Sequence, residues 1–342
     1  MKAGAGGLSG WSRRFDAVRS GYMAETVATS ETTTDGNADA TARPGPTVLL
    51  TGATGAIGGR LLPALLDDGD VGPIRALVRD PDRADLPESV RTHRGDLFAG
   101  EGLDAALEGV DVAYYLVHAM GRGNDGDFAE LDRRGARAFG EAAERAGVRR
   151  VIYLGGLGGA GEERSHHLRS RREVAEILSA HAPEPVHARA AMVIASDSQS
   201  FVILRNLVRR LPVMVMPRWV TTRSQPIAQR DVTAALRALA TRDEVPAEVQ
   251  LGGADALTYR EMLDTTATLL ERRGVPKLPV PISAIGLSSL WVSMFGGVEH
   301  DLVRPLIEGL QVEMVVTEPP PPGINDAPLG FADAVREALD GA

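Results

Sequence analysis

The run Thr51-Gly52-Ala53-Thr54-Gly55-Ala56-Ile57-Gly58 lies between a β-branched and leucine-rich segment and an amphipathic stretch on which Ile57, Leu61, Leu62 and Leu65 share one face. A strand that turns through glycines straight into a helix admits few folds. Glycines at 52, 55 and 58 let the chain turn tightly, let backbone amides approach a pyrophosphate, and let helix and strand pack closely. The helix N-terminus then faces the phosphates with its partial positive charge. Gly52, Thr54, Gly55, Ala56, Ile57 and Gly58 are therefore the expected phosphate-side residues of a dinucleotide site.

The segments on either side of the loop set the fold class. Strand-like runs at 47–51, 74–79, 90–94, 111–117, 150–154 and 186–194 alternate with helical patterns at 56–67, 103–107, 128–146 and 165–180. Such alternation marks a parallel sheet with crossover helices. The expectation is an α/β chain, a doubly wound parallel sheet of about six strands with a small, mostly helical C-terminal lobe. Beyond Ser198 the pattern loosens among Pro212, Pro217, Pro226, Pro246, Pro276 and Pro281. Pro319–Pro322 reads as a stiff connector and 331–339 as a closing helix. The organisation expected is a flexible leader over 1–45, a nucleotide-binding domain over 46–197, and a substrate-side lobe over 198–342 interleaved with the sheet domain. The leader is poor in large apolar side chains, which cannot offset the entropy of ordering, and Met23 is an alternative start.

Composition removes several function classes. A net charge of −9 and a pI near 5.4 argue against nucleic acid or an anionic membrane surface as partner. With no cysteine, disulfides and thiolate chemistry are excluded. The lysines are Lys2 and Lys277 alone, so catalytic lysine chemistry is nearly excluded as well. The apolar stretch 284–295 is too short to span a membrane, and no secretory signal is recognisable at the N-terminus. A soluble cytoplasmic protein is expected. No His, Asp and Glu cluster has metal-ligand spacing, and no Gly-x-Ser-x-Gly elbow occurs.

The second strand ends Leu77-Val78-Arg79-Asp80, where an NAD-binding chain places an acid for the ribose 2′-hydroxyl. Arg79 suits a 2′-phosphate, which favours NADP(H) over NAD(H); Asp80 is expected to point away, and a shift of one residue reverses the inference. Asp96 and Leu97, after the third strand, are placed to meet the adenine, or Asp96 caps its own turn. The segment 121–127, rich in glycine, joins the fourth strand to its helix as a lid or a plain loop. Phe201, Leu204, Leu207, Val213, Met214, Val215, Met216 and Trp219 supply either a pocket wall or core.

TGATGAIGG, ALVRD, HRGDL and AYYLVHAM together resemble the atypical short-chain dehydrogenases/reductases, nearest to the NmrA-like and YbjT-like NAD(P)H-binding proteins, over roughly 47–239. The resemblance implies a Rossmann-type fold, places Val117 and His118 beside the nicotinamide ribose, and sets Pro226-Ile227 and Asp231-Val232 on the far side of the pocket. This sequence departs from the catalytic pattern. Where that pattern has Tyr-x-x-x-Lys, here stand His167 and Arg171, and where it has a serine near the end of the fifth strand stands the glycine-rich run Gly155-Gly156-Leu157-Gly158-Gly159. His167 and Arg171 share a helical stripe with Val174 and Leu178 and should face inward, the arginine lowering the histidine pKa; otherwise they cap the helix or pair with Glu162, Glu163 or Glu173.

The expected function is that of an NADP-linked oxidoreductase on a small apolar carbonyl or conjugated substrate, with the proton from His118, His167 or water and Arg171 holding ribose or phosphate. Two alternatives stay open: a non-catalytic NAD(P)H-sensing regulator that acts on a partner protein, and a non-redox epimerase or isomerase.

Overall fold

The computed structural model describes residues 45–119, 128–159, 165–211, 213–272, 276–279 and 309–341. The leader before residue 45, the loop 121–127, Glu162, Glu163 and the stretch 284–295 lie outside the described residues.

Seven strands form one parallel sheet: β1 (Val48–Thr51), β2 (Ile74–Val78), β3 (Arg91–Arg94), β4 (Val112–Tyr115), β5 (Arg150–Gly156), β6 (Glu184–Ala190) and β7 (Glu248–Leu251). Their spatial order is β7-β6-β5-β4-β1-β2-β3. The winding reverses between β1 and β4, and an open parallel sheet binds its ligands beyond the strand ends at such a reversal. This is a Rossmann-like fold, as the alternation of patterns predicts.

Successive side chains of β1 serve opposite faces, which is why the strand reads as an unbroken apolar run. Val48 and Leu50 pack with Leu61 and Leu65 of α1 (Gly58–Leu66) and Leu236 and Leu239 of α6 (Gln229–Thr241). Leu49 joins the opposite core with Leu107 of α2 (Leu103–Leu107), Phe139 of α3 (Phe128–Ala146) and Val174 of α4 (His166–Ser179). A third core holds Phe201 of α5 (Gln199–Arg210), Met262 of α7 (Tyr259–Leu269) and Phe331 of α8 (Phe331–Asp340).

Three expectations change. The strand anticipated over 186–194 ends at Ala190, and Val193–Ile194 leaves the sheet to pair in parallel with Ile227–Ala228. The C-terminal region is not merely helical, since β7 from within it extends the main sheet along β6. Its four residues EVQL carry too little pattern to stand out; pairing with β6 makes them a strand. Finally, α1 begins at Gly58 rather than Ala56, because the Arg60 N–H turns to the Ile57 carbonyl at 3.1 Å.

A buried cation joins the sheet to the C-terminal region. Arg150 is fully buried, donates to Glu184 Oε2 at 2.6 Å, and also donates to the Leu239 and Arg242 carbonyls, each at 2.7 Å. It thereby satisfies the carbonyls that the C-terminus of α6 leaves unpaired. Among the described residues, no helix is long and apolar enough to cross a membrane.

Candidate active site

A cleft of about 1090 Å³ opens beyond the C-terminal ends of β1 and β4. Thr51 holds these two strand ends together: its hydroxyl donates to the Tyr114 carbonyl at 2.8 Å and accepts the Leu116 N–H at 3.1 Å. Gly52 has φ of +71°, and a Cβ there would lie 3.0 Å from the Leu116 oxygen. At Gly58 a Cβ would stand 2.1 Å from the Gly52 oxygen, so the start of α1 sits against the turn only because both residues are glycine. The first turn of α1 has no side-chain cap. Within it the Gly59, Arg60 and Leu61 amides bond to the Gly55 and Ile57 carbonyls, so what the helix start offers an anion in the cleft is the positive end of its dipole.

The residues expected from the sequence to hold the dinucleotide line this cleft: Gly52, Thr54, Gly55, Ala56, Ile57, Gly58, Arg79, Asp96, Leu97 and Val117. His118, His167 and Arg171 line it as well. These groups come from the segments that follow β1, β2, β3 and β4, from the start of α1 and from α4, which the sheet order brings to one edge.

At the end near β2, Arg79 is exposed and Arg83 stands with it on the cleft wall. Asp80 does not point away as expected; it also lines the cleft. Its carboxylate is engaged, 3.5 Å from Arg83 and 3.7 Å from Arg94. Asp96 accepts the Phe98 N–H at 2.9 Å, so one of its oxygens holds its own turn. Leu97 is buried beside it.

At the other end, Ser165 caps α4 by accepting the Leu168 N–H at 3.3 Å, which sets His167 in the first helical turn. His167 is half-buried, and its pKa is pushed down to about 3, first by burial and then by the adjacent Arg171 guanidinium. Arg171 is not paired with Glu173, which is held by Arg133 at 2.7 Å. It donates instead to the Leu154 carbonyl at 3.3 Å and reaches the buried Tyr153 phenol. His118 is exposed at the cleft. In the glycine-rich run at the end of β5, a Cβ on Gly155 would lie 2.2 Å from His187 Nε2.

Two residues tie these parts together and have no counterpart among the sequence-based candidates. Asp132 of α3, 4% exposed, accepts the Ala119 N–H at 2.7 Å and the Ser170 hydroxyl at 3.3 Å. It therefore fixes the chain beside His118 and the helix beside Arg171, and burial raises its pKa. An acid on the apolar stripe of Ala129, Ala136 and Phe139 is the signal that could have revealed it. Gln229, at the start of α6, also lines the cleft and donates to the Ala56 carbonyl at 2.7 Å. The neighbouring Ile227 and Asp231, expected on the far wall, are not among the lining residues; Asp231 accepts the Leu329 N–H at 2.8 Å.

A family model described as NAD(P)H-binding matches residues 52–207. Sterol demethylase protein B of Methylococcus capsulatus is 37% identical over 120 residues, 34% of this chain and 36% of that protein, so the match spans about a third of that relative. Ceramide reductase of Caulobacter vibrioides is 29% identical over 256 residues, covering 72% of this chain and 78% of that one. Among solved structures, triphenylmethane reductase from Citrobacter sp., complexed with NADP(H), superposes with a TM-score of 0.66 at 19% identity, over 86% of this chain and 100% of that one.

Proposed function

We propose that this chain, whose residues 52–207 match a family model described as NAD(P)H-binding, is an NADP(H)-dependent reductase of an apolar carbonyl or conjugated substrate that works without the Tyr-x-x-x-Lys pair. The observation that carries this reading is that the glycine loop, His118, His167 and Arg171 all face one cleft. The reductases among the relatives support it.

When bound, the dinucleotide would supply the hydride. The uncapped start of α1 would hold its pyrophosphate, and Arg79 with Arg83 would meet a 2′-phosphate. Asp80, already paired with two arginines, offers a weak acceptor for a ribose hydroxyl, which favours NADP(H). With its pKa near 3, His167 is neutral at physiological pH. It serves as a hydrogen-bond donor to the substrate oxygen rather than as a proton source, and Arg171 adds a fixed positive charge beside the oxygen as negative charge develops. His118, the exposed histidine, is the group placed to deliver the proton.

Calorimetric titration with NADPH, NADP, NADH and NAD tests this directly. The expected result is tightest binding of NADPH, and its selective loss in Arg79→Glu. Binding of none of the four overturns the reading. Binding without consumption across carbonyl substrates moves the chain to the class of dinucleotide sensors, which the missing dyad permits.

A further inference from the structure

We propose that the cleft continues past the reaction end into an arm that takes an aliphatic chain of the substrate, between α5 and α7. This rests on the reductase reading and names the class of molecule it reduces. Besides the charged and titratable residues of the dinucleotide and reaction ends, the cleft lining includes a group of apolar residues contributed by α5, α7 and neighbouring segments. Ile203, Leu204 and Leu207, which share one face of α5, line it together with Trp219, Leu263 and Leu310, and Leu204, Leu263, Trp219 and Leu310 pack in the third core. Leu204 and Leu207 are 6% and 9% exposed, so this apolar lining lies within the fold and is not an open surface patch. Trp219 stands edge-on to Tyr259, centroids 6.0 Å apart, and both rings line the cleft. No described residue of this wall offers a charge to a polar head group. An occupant that enters it must exchange water for methylene contacts along its length, which an alkyl chain does and a sugar or nucleotide does not.

The arm is tested by titrating the protein with methyl n-alkyl ketones from pentanone to undecanone, in the presence and absence of NADPH. Each buried methylene should tighten binding by about 4-fold, until the arm is full and the gain stops. Ile203→Trp, at a half-buried position on the wall, should move that plateau to a shorter ketone, and Ile203→Asp should flatten the series. Affinity independent of chain length, or a plateau that Ile203→Trp leaves in place, overturns the proposal. Titration without dinucleotide keeps the two readings apart. A protein that fails to bind NADPH but shows the chain-length gain loses the reductase reading alone, whereas one that binds NADPH and shows no gain loses the arm alone.

Discussion

The Gln229 side-chain amide donates to the Ala56 carbonyl at 2.7 Å, joining two residues 173 positions apart in the chain. The Arg60 N–H, which could have closed a helical bond to that carbonyl, goes to Ile57 instead. The glycine loop therefore depends on the C-terminal region for one of its own acceptors. Gln229→Leu should cost about 1 kcal/mol in stability and weaken dinucleotide binding by a similar factor. Urea midpoints and NADPH affinity both unchanged would show that the contact carries neither.

The two glycines that end the motif should respond oppositely to alanine. A Cβ at Gly58 meets the Gly52 carbonyl at 2.1 Å and cannot be relieved by a side-chain movement, whereas at Gly59 the nearest atom is the Ala53 oxygen at 3.6 Å. Gly58→Ala should abolish dinucleotide binding. Gly59→Ala should bind normally and gain roughly 0.5–1 kcal/mol from helix propensity. Equal behaviour of the two variants in a titration would refute the role assigned to close packing at Gly58.

Removing the Arg150 guanidinium leaves the carbonyls of Leu239 and Arg242 without their partner and Glu184 with Arg149 alone. Arg150→Met should lower stability by about 3 kcal/mol, seen as a drop in denaturant midpoint with little change in slope. A midpoint within experimental error of the parent would mean that water replaces the arginine at no cost.

Burial and neighbouring Arg189 push the His187 pKa down from 6.5 to about 4. The unfolded chain therefore takes up a proton that the folded one refuses. This contribution to stability is complete above pH 6.5 and is lost as pH falls toward 4. His187 stacks on Tyr153 with ring centroids 5.2 Å apart, so phenylalanine can keep that contact. His187→Phe should lose ~1–2 kcal/mol less than the parent between neutral pH and about pH 5. Identical pH profiles by chemical denaturation would place the histidine titration elsewhere.

The sequence by itself determined the local chemistry. The glycine loop, the β-branched run before it and the amphipathic helix after it specify one supersecondary unit, because turn, approach and packing each demand glycine at a particular spacing. The alternation of short apolar runs and helical periods then dictates the parallel sheet. The stripe of His167, Arg171, Val174 and Leu178 showed which way α4 faces, and both polar members do line the cleft.

Tertiary structure alone decided what depends on distant partners. Asp80 has no local feature that says it will be held by Arg83 and Arg94, and EVQL becomes a strand only because β6 offers an open edge. Glu173 is only two residues from Arg171 but turns away from it on the helix, and Arg133, from another helix, took that acid. Asp132 and Gln229 carry ordinary helical spacing, yet each secures a backbone group beside the cleft from another element. Local sequence fixes backbone preferences within a few residues, whereas the pairing of a buried polar group is settled by whichever distant donor or acceptor the packed elements bring within about 3 Å.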